Sequence, residues 1–156
     1  MHFMKLAEAL ILRADTQSRV HELTTRLNRV VKVQEGDTPV ENPQDLLTEL
    51  DRATDELETV IRRINRTNSA TELENGVTIT DALARRDVLM TKRSSLSQVV
   101  NTAAHQQNRY GNSEIRFVTT VDVAALQRQV DDLSRQYREL DAQIQQQNWL
   151  VDLIED

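Results

Sequence analysis

Cysteine is absent from the 156 residues, and glycine (3), proline (2) and aromatic residues (3%) are all scarce. Without a thiol there is no disulfide, no thiolate zinc site and no cysteine nucleophile. Three glycines are too few for a phosphate-cradling loop, and neither a Gly-x-Ser-x-Gly elbow nor a Walker sequence occurs. Few breakers and few β-favouring rings select long helices. No apolar run approaches the roughly 18 residues of a membrane span. The most apolar N-terminal run, Leu6 to Leu12, is short, interrupted by Glu8, and lacks the flanks of a secretory signal. A cytoplasmic protein without membrane association is the expectation. Basic residues total 19 against 25 acidic ones, for a formal charge of -6. That balance disfavours nucleic acid and anionic lipid, which reward a basic surface.

What is present is periodicity, with the breakers between the periodic stretches. The first stretch runs from Met4 to Val33, with Leu6, Leu10, Val20, Leu27 and Val31 on three- and four-residue steps. Arg13, Gln17 and Thr24 share that stripe. Gly36 and Pro39 end it. Asn42 then offers an N-cap and Pro43 a first helical residue, where a missing N–H costs nothing. Leu46, Leu50, Ala53, Leu57, Val60 and Ile64 follow as a nearly unbroken heptad stripe. Asn75-Gly76 favours the positive φ angles of a tight hairpin turn between residues 71–73 and 77–79.

A third helix is expected from a Thr80 cap to about Gln107, with Ala82, Leu89, Leu96, Val100 and Ala103 sharing a stripe with Arg86 and Arg93. Glu114 to Thr120 alternates, with Ile115, Phe117 and Thr119 on one side, and predicts a short strand. Asp122 caps the last helix, whose stripe is Leu126, Val130, Leu133, Tyr137, Leu140 and Ile144. The apolar tail from Trp149 to Ile154 is expected to dock, and Asp152, Glu155 and Asp156 to be solvated. The class is therefore all-α. The expected architecture is an elongated antiparallel four-helix bundle of coiled-coil-like helices, a single domain over residues 1–156. A small β-hairpin and a short strand lie in its connections. The alternative is two helical hairpins that complete their cores only by pairing with another subunit. Stripes this long, with a second set at Leu12, Leu23, Val30, Val88 and Val99 that looks exposed, point to a homo-oligomer.

Polar residues on core stripes are the sequence's candidate site. Arg13, Asp15 and Gln17 interrupt the first helix, Arg86, Asp87 and Arg93 the third, and Asn65 closes the second beside Arg62 and Arg63. Arginine inside a bundle is costly unless a carboxylate answers its guanidinium. Two readings follow: a satisfied layer that sets register or subunit pairing, or convergence of Arg13, Arg86 and Arg93 on an anionic small ligand. His2, His21 and His105 lack the spacing of metal ligands, so neither metal nor cofactor is expected. No nucleophile motif supports an enzyme. Trp149 and Tyr110 could anchor a partner, although a lone aromatic in a tail more often packs within its own chain.

Several stretches carry a family resemblance. They are residues 4–15 (MKLAEALILRAD), 32–36 (KVQEG), 63–68 (RINRTN), 81–87 (DALARRD), 113–118 (SEIRFV) and the run from Val121 through Asp141. Together these resemble the small bacterial helical proteins labelled septicolysin-like, a family otherwise of unknown function. The label implies a thiol-activated, membrane-contacting cytolysin, large and β-rich. Such toxins use a Cys- and Trp-rich loop, whereas this chain has no cysteine and Trp149 as its single tryptophan. Composition thus argues against pore formation, and the unbroken stripes of the second and fourth helices, with no catalytic motif, point to a non-enzymatic, self-associating interaction or scaffold protein.

Overall fold

The breakers fall where the helices end. The computed structural model describes residues 2–105 and 115–156. Among these lie helices α1 (Leu6–Val30), α2 (Pro43–Ala70), α3 (Ile79–Ala104) and α4 (Val123–Leu150). Strands β1 (Glu72–Glu74) and β2 (Val77–Thr78) separate α2 from α3. They pair antiparallel, with Glu72 opposite Thr78 and Glu74 opposite Val77. Asn75 and Gly76 turn the chain at φ 47° and 82°, the left-handed values a two-residue hairpin needs at both positions. The all-α class with a small hairpin in a connection is thus what the chain adopts. It divides into two compact units, Met1–Thr78 with Gln145–Asp156, and Ile79–Ile144.

In the first unit α1 packs on α2. Asn42 caps α2 as expected, its side chain accepting from the Gln44 N–H at 2.9 Å. The α2 stripe buries Leu46, Ala53, Val60 and Ile64, and extends one step further to Thr67, which is fully buried. The α1 stripe departs from expectation. Leu6 and Leu27 are buried, but Gln17, Thr24 and Val31 are exposed. Ala9, Thr16, Leu23 and Val30 form the buried second line instead, and Leu23, expected outside, is 1% exposed. The helix is turned one position because the line through Leu23 and Val30 carries more apolar surface than the line through Gln17 and Thr24. Leu23, Leu27 and Val30 then meet Leu46 and Ala53 in one cluster.

The tail docks, as expected, but mostly through its backbone. Leu6 N–H donates to the Val151 carbonyl at 2.9 Å, and Leu153 N–H to the Met4 carbonyl at 2.8 Å. Ile154 N–H donates to Thr67 Oγ1 at 2.9 Å. Leu153 is buried, whereas Trp149 is 56% exposed and so does not pack within the chain as a lone aromatic usually does. Asp152, Glu155 and Asp156 are exposed, as expected, and two of them are also paired: Asp152 with Lys5 at 2.6 Å, and Asp156 with both Arg63 and Arg66.

Three carboxyls of the first unit, Asp156, Glu8 and Glu41, are held below their ordinary range, and acid sensitivity is the expected result. Hydrogen bonds from Arg63 hold the Asp156 carboxyl below the ordinary range. The Lys5 N–H lowers Glu8, and the Arg26 fork lowers Glu41. A carboxylate whose pKa is depressed on folding contributes stability above its unfolded value and loses it as pH falls through the folded one. Urea midpoints are expected to hold near neutrality and decline progressively below about pH 4.5. A midpoint flat down to about pH 2 would show that these pairs contribute nothing.

In the second unit, Asp122 Oδ1 accepts from the Ala125 N–H at 3.0 Å and caps α4 as expected. Helix α3 begins at Ile79, so Thr78 rather than Thr80 precedes its first residue. The α4 stripe buries Val130, Leu133 and Ile144. The expected strand is absent over residues 115–119. Ile115 and Phe117 are 72% and 77% exposed, and so is Val118 on the other side of the alternation, at 80%. A strand needs a ladder partner and a covered face, and the alternating apolar side chains of this stretch stay exposed on both sides. Glu114, Tyr110 and the expected last residues of the third helix lie outside the described residues.

Candidate functional site

Two features of the second unit concentrate chemistry and exposed surface. The first is a pair of polar rungs between α3 and α4. Arg86 Nη1 donates to Asp141 Oδ1 at 2.9 Å, and Arg93 Nε donates to Ser134 Oγ at 2.6 Å. Ser134 Oγ in turn donates a hydrogen bond to the Val130 carbonyl, at 2.9 Å. Seven residues forward on α3 correspond to seven residues back on α4, so the helices run antiparallel in one register over both rungs. Each rung sits one heptad from the other, where a supercoiled seam returns to the same face.

The arginines differ in how well they are answered. The Arg86 side chain is 23% exposed and meets Asp141, 34% exposed, with Asp87 a distant 3.9 Å from its Nε. Arg93 is half-buried and has Ser134 alone, with no carboxylate within ion-pair reach among the described residues. Its guanidinium therefore keeps donors to spare.

Of the residues singled out in the sequence, Arg86, Asp87 and Arg93 belong to this unit. Arg13, Asp15, Gln17 and Asn65 belong to the first, where Arg13 is half-buried and the other three are exposed. Sequence reading missed Asp141 and Ser134. Their spacing of seven on α4 matches that of Arg86 and Arg93 on α3, which is the signal that pairs them.

The second feature is an open groove of about 1100 Å³ between the C-terminal half of α3 and residues 116–121. Val99, Ala103, Phe117 and Val118 contribute to its apolar lining, and Arg116 and His105 are its ionisable groups among the described residues. Among the described residues of this lining, no hydrogen bond joins a nucleophile to a base. No group of three or more His, Asp or Glu among the described residues is placed to hold a metal ion. No helix among them is long and apolar enough to cross a membrane. What the groove can do is take up apolar surface.

Comparison with other proteins agrees in fold and is silent on role. A model of a family of unknown function, DUF6847, matches residues 13–153. The crystal structure of a functionally unknown conserved protein from Corynebacterium diphtheriae superposes with a TM-score of 0.91. The two sequences are 44% identical, over 98% of this chain and 100% of the other. No curated protein matches.

Proposed function

The chain belongs to the DUF6847 family, and from that premise we propose that it is a non-enzymatic interaction protein that works by associating with itself. The observation that carries this is the state of the α3–α4 stripe. Leu89, Tyr137 and Leu140 lie between the rungs and Leu96 just beyond them, yet each remains only half-buried. A two-helix layer leaves one side of its apolar stripe uncovered, and bundles close that side with further helices. The rungs complement this, because a polar pair on an apolar seam selects one register among many.

Sedimentation velocity across the micromolar range tests the reading. A mass that rises to a defined multiple of 17.9 kDa is expected. A monomer throughout overturns it.

The spare donors of Arg93 favour a second reading, an anionic small ligand held at the α3–α4 rungs. Thermal shift against phosphate, nucleotides and polycarboxylates separates the two, since only a ligand site raises the melting temperature. No observed feature favours the membrane-active role that the septicolysin-like resemblance implies.

A further inference from the structure

The groove of the second unit has a counterpart on the first. Trp149 and Leu150 stand 56% and 62% exposed, and Ile154 39%. The register of the Lys5 and Asp152 bridge places Phe3, 52% exposed, opposite Ile154. Glu155 is exposed beside them, with no partner among the described residues. These exposed apolar side chains are followed by an acidic one, whereas the groove is apolar with Arg116 and His105 as its ionisable groups among the described residues. The charge of the whole chain divides in the same sense. The first unit holds ten basic and seventeen acidic residues, the second nine and eight.

Complementarity of this kind selects the partner and its orientation. Tryptophan in an apolar socket is also the commonest anchor of a protein contact. We infer that the groove between α3 and residues 116–121 takes the Trp149–Leu150 surface of a second copy of this chain. The inference rests on the self-association reading and names its two faces. Because those faces differ, each copy offers its groove to one neighbour and its Trp149 surface to the same neighbour or to another.

Trp149 is the single tryptophan, so fluorescence reports this surface alone. Its emission is expected to shift to the blue as concentration rises, in step with the mass from light scattering. Phe117→Ser and Trp149→Ser alter exposed side chains and leave the cores intact. Each is expected to weaken association about 30-fold, the scale of a truncated anchor. Mixing the two variants is the sharper measurement, since each keeps the face the other has lost. They should form a one-to-one heterodimer that grows no further, and Trp149 of the Phe117→Ser chain should shift only when the other variant is added.

Association of the wild type with unchanged Trp149 emission overturns the inference. So does association of both variants at wild-type strength, and self-association then proceeds through another face. A wild-type monomer across the micromolar range overturns both readings.

Discussion

Leu153→Ala is expected to lower stability by about 3 kcal/mol, the usual cost of emptying a buried leucine site. Leu153 is 5% exposed although it lies in a segment without regular structure. Three backbone donors hold it there, from Leu6, Leu153 and Ile154, and two of them bind the start of α1 to the tail. The third ends on Thr67, whose hydroxyl also donates to the Arg63 carbonyl at 2.8 Å. Thr67→Val keeps the shape and removes the acceptor, leaving the Ile154 N–H unpaired at a cost of about 1–3 kcal/mol. Thr67→Ser keeps the acceptor and loses one methyl group, roughly 1 kcal/mol. Urea unfolding of the three variants measures this order. A Leu153→Ala protein within about 0.5 kcal/mol of wild type would mean that the tail does not dock in solution.

Arg86→Ala and Asp141→Ala are each expected to destabilise by about 2 kcal/mol, and the double variant by less than their sum. The pair is neither fully buried nor freely solvated. Its cost therefore falls between the 3–5 kcal/mol of breaking a buried pair and the fraction of about 1 kcal/mol of a surface one. Each single change leaves a half-buried charge unanswered, and the second change removes that charge. A coupling energy of about 1 kcal/mol in the cycle identifies the rung as structural. Strict additivity would free Arg86 for a ligand. Arg93 gives the contrast, because it faces a hydroxyl and leaves no carboxylate stranded. Arg93→Ala is expected to cost less than Arg86→Ala in the same urea experiment.

The parts legible in the sequence are those governed by neighbouring residues. Asn42-Pro43 and Asp122 mark helix starts because a cap acts over two or three residues. Asn75-Gly76 marks the hairpin because its dihedral demand is local. The stripes of α2 and α4 are single and apolar, so their buried faces follow from spacing alone. Arg86 and Arg93 were visible as intruders on a stripe, but Asp141 and Ser134 became their partners only through the pairing of α3 with α4.

Where two faces of one element compete, local pattern does not choose between them. On α1, the line through Leu23 and Val30 and the line through Gln17 and Thr24 both have helical spacing. Packing against Leu46 and Ala53 selected the first. Residues 115–119 alternate as a strand does, yet alternation supplies no partner, and the apolar side chains stay exposed. The acids of the tail look solvated in sequence because nothing near them is basic. Their partners, Lys5, Arg63 and Arg66, arrive from distant segments of the chain. The sequence by itself determined four helices, the caps of the second and fourth and one hairpin, all short-range choices of backbone conformation. Tertiary structure decided the face of α1, the docking of the tail and the answer to each arginine, because burial and charge pairing depend on groups the chain brings together only when it folds.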